Sequence, residues 1–421
     1  MKIFNRIKNT GMLLVAASVL FTACNKLELD PKPTPPPANG TTPTLANLLD
    51  DPSFSLLKAA VNKAGLMTAL ANNAARYTVF APDDAAITAS LTPILPSGVT
   101  PAMYIASLTQ AQAAGLIQYH VVPQVIRASS ISTSFPNFQY PTILNPAPTV
   151  SPLLRLTTFP SVRPGTGAWV NNVPIIATNI EAVNGVVHKV FRIVMPPSTD
   201  LWATLNAASD LSYLRAAIAR ADSGVAAGAR LQDALNTAVN PAAIGSNLTV
   251  FAPTDDAMKT FITGAIIQYL TGQGVPLAIA QVQATTLINT FGTTILSNPA
   301  SIPGVGGALA SVITPTLAKG IVAYHVISSQ SGTYAPPGLR VFSVNLPTTA
   351  SPVKTLLNTA VAVHPGLIVK GNFVSPAPGI SVVASATVKG AVNATASNVV
   401  GFDIHAVNGV VHKIDQVLLP Q

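Results

Sequence analysis

Four separated motifs occur twice in this chain in the same order, and any fold must place both copies equivalently. FSLLKAAVNKAG at 54–65 returns as LSYLRAAIARAD at 211–222, and TVFAPDDAA at 78–86 as TVFAPTDDA at 249–257. GLIQYHVV at 115–122 returns as GIVAYHVI at 320–327, and AVNGVVHKVFRIVMP at 182–196 as AVNGVVHKIDQVLLP at 406–420. The separation grows from 157 residues (54 to 211) through 171 (78 to 249) and 205 (119 to 324) to 224 (184 to 408). Each step is an insertion in the second copy, in text such as NPASIPGVGGALASVITP that reads as surface loop. The chain is therefore a tandem duplication, with domains at 45–197 and 198–421, each of ordinary domain size. The PPST link at 196–199 is short enough to restrict their mutual motion.

The copies agree in local pattern. Phe54, Leu57 and Val61 recur as Leu211, Leu214 and Ile218, a spacing that predicts one buried face of an amphipathic helix. Asn184-Gly185 and Asn408-Gly409 lie between apolar runs and predict two-residue hairpins, with the positive φ of a type I′ turn at both residues. After Ala-Pro, aligning the copies sets Asp83 against Thr254, Asp84 against Asp255, and Asp256 against Ala85. A paired-acid site does not survive that alignment. What persists is a capping residue followed by one acid, the signature of a helix start.

The same test removes most chemistry. His120 and His325 follow Tyr119 and Tyr324, and His188 and His412 follow Asn184 and Asn408 by four residues, with no converging ligands at zinc spacing. They read as histidines satisfied by local hydrogen bonds, the acid after TVFAP being one candidate partner, while a ligand-contacting role stays open for the two Tyr-His pairs. No Gly-x-Ser-x-Gly elbow occurs, and GVGG at 304–307 lacks the lysine of a phosphate loop. No catalytic residue, metal ligand or cofactor is expected. The net charge of +8 comes from scattered basic residues, three of them (Lys2, Arg6, Lys8) at the N-terminus, so nucleic acid is not an expected partner. With 49% hydrophobic and 9% charged residues, the chain suits strand-rich domains with many turns and not disorder.

The N-terminus resembles a bacterial lipoprotein signal: the basic MKIFNRIKNT, the short apolar GMLLVAASVLF, then TAC ending at the single cysteine, Cys24. On that resemblance residues 1–23 are removed and Cys24 carries the lipid that holds the protein on a membrane. Phe21 and not leucine stands three residues before Cys24, and ordinary cleavage leaving a thiol is the alternative. Residues 24–44, with six prolines between Pro31 and Pro43, read as an extended polyproline tether. Glu28 and Asp30 resemble the surface-export signals of some Bacteroidetes lipoproteins, so the expected location is the cell envelope, as an outer-membrane lipoprotein exposed at the surface.

The order helix, TVFAPTDDA, YHV, NGVVHKIDQVLLP is similar to that of the fasciclin-like (FAS1) domain, present twice. The resemblance implies an α+β fold in which small sheets meet as a wedge or sandwich, with helices packed on one side. It implies adhesion at the cell surface through matrix proteins, other cells or polysaccharides, with no cofactor and no catalysis, and it links the Tyr-His region to integrin-type recognition. The first copy departs at Phe191, where the second has Asp415. Three functions remain: a lipid-anchored adhesion or matrix-interaction protein, a glycan-binding accessory lipoprotein of an outer-membrane nutrient importer, and a structural spacer. The glycan reading needs aromatic faces for sugar rings, and Trp169, in the loop-like GTGAWVNN, is its candidate, whereas Trp202 reads as helix packing.

Overall fold

The two TVFAP segments form the central strands of two sheets. In the computed structural model, which describes residues 42–131, 133, 138–239, 246–327, 340–377 and 380–420, β1 (Tyr77–Pro82) runs antiparallel to β2 (Val121–Val122) and parallel to β8 (Gly185–Val190). With β5 (Pro160–Arg163), β6 (Gly167–Val170) and β7 (Val173–Ala182), the first sheet has the order β2-β1-β8-β7-β6-β5. A separate ladder joins β3 (Tyr140–Pro141) to β4 (Thr157–Thr158). In the second half β9 (Leu248–Pro253) runs antiparallel to β10 (Val326–Ile327) and parallel to β15 (Gly409–Ile414). With β11 (Ser351–Val353), β12 (Leu367–Ala377), β13 (Ile380–Lys389) and β14 (Ser397–Ala406), the second sheet reads β10-β9-β15-β14-β13-β12-β11. Residues 1–23, Cys24 and the tether as far as residue 41 lie outside the described residues. The fold takes hold at Pro43, whose carbonyl accepts from Val183 N at 3.0 Å, slightly before the expected start at 45.

The first half contributes α1 (Leu45–Leu48), α2 (Ser55–Ala64), α3 (Met67–Ala71), α4 (Asp84–Leu91), α5 (Pro101–Ser107) and α6 (Gln110–Tyr119). The second contributes α7 (Leu201–Ala207), α8 (Ser212–Ala221), α9 (Leu231–Leu235), α10 (Asp255–Gly272), α11 (Leu277–Phe291), α12 (Thr294–Ser297), α13 (Gly306–Val312) and α14 (Pro315–Tyr324). Burial of both faces explains why these central strands are mostly apolar. Val79, Ala81 and Val187 face the helices and pack with Leu57, Val61 and Ile117, while Phe80, Val122 and Val190 enter a second core with Ile126, Val170 and Val194. The second half repeats this: Val250, Ala252 and Val411 pack with Leu214, Ile218 and Val322, and Phe251 and Ile414 with Leu367 and Val388. Each half is thus an α+β wedge with helices on one side, and the buried helix faces fall where the spacing of Phe54, Leu57 and Val61 places them.

The expected surface loops of the second copy require correction, because much of the added text is helix. The helix after TVFAP is 8 residues long in α4 and 18 in α10, and α11, α12 and α13 follow it. These elements form because Ala280, Ala284 and Ile288 repeat at helical spacing along α11, and because Ile295, Leu296, Ile302 and Leu309 drop into the core.

The described residues from Pro43 onward form one compact unit. Phe159 and Trp169 from the first half and Phe342, Val344 and Val410 from the second share a buried cluster, so apolar contact holds the halves together beyond the short link.

Candidate functional site: the repeated clamp and the junction

The repeated Thr, Phe and His residues converge on one stretch of backbone in each half. Thr78 Oγ1 accepts from Ile126 N at 2.7 Å and donates to Gln124 O, while His188 Nε2 donates to Ile126 O at 2.7 Å. Phe80 stacks on the His188 ring with centroids 5.7 Å apart. In the second half Thr249 Oγ1 accepts from Val341 N at 3.0 Å, His412 Nε2 donates to Val341 O at 2.9 Å, and Phe251 stacks on His412 at 5.6 Å. The other ring nitrogen completes the clamp. His188 Nδ1 accepts from Asn179 N and His412 Nδ1 from Asp403 N, both residues having positive φ, and their side chains reach two residues further on to Ala128 N and Ser343 N. Burial pushes the His188 pKa down, which keeps the ring neutral with its proton on Nε2.

The Tyr-His pairs fasten other chain segments. His120 Nδ1 donates to Leu116 O and its Nε2 accepts from Val194 N, just as His325 Nδ1 donates to Ile321 O and its Nε2 accepts from Leu418 N. Each thereby caps its own helix and holds the segment that follows the last strand of its half. Burial lowers both pKa values to about 4. Tyr119 Oη donates to Thr157 O at 3.0 Å and accepts from Asn171 Nδ2, and Tyr324 Oη donates to Gly366 O at 2.6 Å and accepts from Ala391 N. Burial raises the Tyr119 pKa to about 12.

The Asn-Gly pairs form hairpins, but not the expected turns. Ala182 pairs with Gly185 and Ala406 with Gly409, so the two-residue loops are Val183-Asn184 and Val407-Asn408, and none of these residues has positive φ. The type I′ expectation is corrected, and the dipeptide answers a different need. Asn184 Oδ1 accepts from Leu45 N at the start of α1 and its Nδ2 donates to Leu70 O, while Asn408 Oδ1 accepts from Leu201 N at the start of α7 and its Nδ2 donates to Leu235 O. A Cβ on Gly185 would overlap the Tyr77 carbonyl oxygen, and one on Gly409 the Leu248 carbonyl oxygen. Glycine is required by close approach to the parallel neighbour.

The acids after Ala-Pro divide their work. Asp83 accepts from Ala86 N at 2.9 Å and Thr254 from Ala257 N, both capping the helix they begin. Asp84 and Asp255 instead reach another helix. Asp84 accepts from Ser55 Oγ and Leu56 N at the start of α2, and Asp255 from Ser212 Oγ and Tyr213 N at the start of α8. The residues preceding those helices, Phe54 and Leu211, supply no cap of their own. The acid after TVFAP is therefore a remote cap, and the histidines use backbone carbonyls and not this acid.

The five residues singled out for partner contact also require correction. Tyr119, His120, Tyr324, His325 and Trp169 are all at most 2% exposed, so none presents a face to a ligand. Trp169 lies on β6, not in a loop, and its Nε1 donates across the junction to Ser381 O at 2.9 Å. Reading the sequence also missed Arg340, which is 1% exposed. Its guanidinium donates to Ala406 O, Val407 O, Asn247 Oδ1 and His405 Nε2 and lies 4.8 Å from the Phe159 ring centroid of the first half. Burial lowers the Arg340 pKa to about 10, which leaves it charged at neutral pH; burial and that charge together hold His405 well below the usual imidazole range. No sequence signal marked Arg340, because its partners, two carbonyls and two side chains, lie 65 to 93 residues away. Among the described residues, no group of three or more His, Cys, Asp or Glu is placed to hold a metal ion.

The architecture is a duplicated α+β unit whose shared polar motifs are spent on holding backbone. Residues 52–196 match the family model described as Fasciclin domain, and the second half repeats the same central strand order and the same clamp. The chain is 28% identical over 145 residues to Protein sll1483 of Synechocystis sp., an alignment covering 34% of this chain and 68% of that one. It is also similar to a solved FAS1 domain pair from the insect cell adhesion molecule fasciclin I, at 14% identity and a TM-score of 0.30, covering 89% of this chain and 95% of that chain.

Proposed function

We propose that the chain is a non-catalytic surface-interaction protein, held on a membrane through a lipid on Cys24, that meets its partner with the helical insert of its second half. Fasciclin domains are linked to adhesion and surface interaction, and the solved relative is itself described as a cell adhesion molecule. The observation that carries the reading is the contrast between repeated and unrepeated surface. The repeated motifs point inward, whereas from Thr260 to Ala318 the chain has no Asp, Glu, Lys, Arg or His. On α11 in this stretch Leu277, Ile279 and Val282 are each at least 50% exposed, an apolar patch on an otherwise polar helix surface. Among the described residues no single helix is long and apolar enough to cross a membrane. The glycan reading receives less support, since Trp169 is buried and Phe138 is the one aromatic residue more than a third exposed among the described residues.

Two experiments test this reading. The protein is offered to a panel of matrix proteins and polysaccharides beside a variant carrying Leu277→Ser, Ile279→Ser and Val282→Ser. Saturable binding to a matrix protein that the variant loses supports the proposal. Equal binding by both forms removes the insert from it, and binding confined to polysaccharides favours the glycan reading. Cys24→Ser should release the protein from the membrane fraction, and its retention there would end the lipid-anchor reading.

A further inference from the structure

A polar cavity of about 40 Å³ opens at the junction, lined by Thr133, Ser161, Arg163 and Trp169 from the first half and by Val344 and Asn345 from the second. Its polar groups are not all used. Arg163 Nη2 donates to Val344 O and Leu346 O, and the guanidinium lies 4.2 Å from the Phe373 ring centroid, yet buried Nη1 has no partner. Ser161, 6% exposed, also has a buried hydroxyl without a partner. Beside Trp169, the Ser381 hydroxyl is buried and unpartnered as well. Buried donors are nearly always satisfied, so the two unpartnered donors that line this cavity, Arg163 Nη1 and Ser161 Oγ, mark a place built to receive acceptors. The charge points the same way, because among the described residues no carboxylate pairs with Arg163 and burial is the cause that lowers its pKa.

We propose that this cavity binds the carboxylate of a small ligand, one oxygen accepting from Arg163 Nη1 and the other from Ser161 Oγ. The space suits the group: it would hold about three waters, or one planar carboxylate with the remaining volume at the mouth. A single cation with one unpartnered NH2 group and a neutral hydroxyl matches a monoanion with two acceptor oxygens, and falls short of what a phosphate dianion requires. Because Trp169, Arg163 and Val344 come from both halves, a bound carboxylate also braces the junction. This inference goes beyond the surface reading, and its failure would leave that reading standing.

The test is thermal unfolding and calorimetric titration of the protein with sodium acetate and sodium D-glucuronate, against sodium chloride at equal ionic strength and neutral D-glucose. The expected result is a saturable upward shift in melting temperature with a carboxylate and none with chloride or glucose. Response to acetate alone assigns the cavity to free small carboxylates, and response to glucuronate as well extends it to sugar acids. Ser161→Ala removes a hydroxyl that has no partner, so it should keep the fold and weaken carboxylate binding at least tenfold; Arg163→Lys should abolish it. No saturable response to either salt, or an undiminished response in Ser161→Ala, would overturn the proposal and leave the cavity to water.

Discussion

Thr78 and His188 meet on the backbone of a single residue: the Thr78 hydroxyl takes the Ile126 N–H and the His188 ring takes the Ile126 carbonyl, each at 2.7 Å. Thr249 and His412 do the same to Val341. A segment without strand partners at these groups would bury an unsatisfied N–H and C=O, each of which typically costs about 1–3 kcal/mol. TVF and VVH therefore recur together because they are two jaws of one device, and duplicating the fold required duplicating both.

The remote cap separates two neighbouring acids. Asp255→Ala removes the acceptor for Ser212 Oγ and Tyr213 N and should destabilise the protein by about 2 kcal/mol, the scale of a charged hydrogen-bond acceptor at a helix start. Asp256, whose side chain is 96% exposed, should tolerate alanine with a change below about 0.5 kcal/mol. Urea unfolding of the two variants checks the contrast, and equal losses would refute it.

Gly185→Ala distinguishes close approach from turn geometry. An added methyl at Gly185 overlaps the Tyr77 carbonyl oxygen in the parallel ladder, so the central pair must separate and the loss should exceed about 3 kcal/mol. Had the residue needed only a permissive turn φ, Gly185→Asn would restore stability. Here it should be no better than alanine, as circular dichroism melting will show.

Stability should fall in mild acid through the Tyr-His histidines. His120 and His325 have folded pKa values of about 4, below the usual 6.5, so the unfolded chain binds their protons first. Their contribution is fully present above about pH 6.5 and is lost as pH falls toward 4, each fall amounting to about 3 kcal/mol. Denaturant unfolding at pH 7.5 and pH 5 should show about 2 kcal/mol of that loss per histidine, and His325→Gln should flatten its share of the slope. A midpoint indifferent to pH in this window would mean that the rings reach water.

What was legible in the sequence was what short-range pattern encodes. The buried faces of α2 and α8 follow from Phe54, Leu57, Val61 and their counterparts, and the capping roles of Asp83 and Thr254 from their place after Ala-Pro. The partners of Asp84 and of His188 lie 28 and 62 residues away, beyond any local spacing. Asn-Gly misled because one dipeptide serves two purposes, positive φ in a tight turn or a missing Cβ against a neighbouring strand, and only the pairing distinguishes them. GTG and NN around Trp169 read as loop, whereas β6 is a short strand packed between turns. The helical insert was hidden by its lack of charge, although Ala280, Ala284 and Ile288 carried the period.

The central claim is that the repeated histidines are architecture, and the proton positions test it most directly. Long-range proton–nitrogen correlation spectra of the labelled protein at neutral pH report the tautomer of each imidazole. The account predicts Nδ1–H on His120 and His325, which donate to Leu116 O and Ile321 O, and Nε2–H on His188 and His412, which donate to Ile126 O and Val341 O. Each should be a single tautomer that a binding partner leaves unchanged. Mixed tautomers in exchange, or signals that move when a partner binds, would contradict the account and return these histidines to the surface.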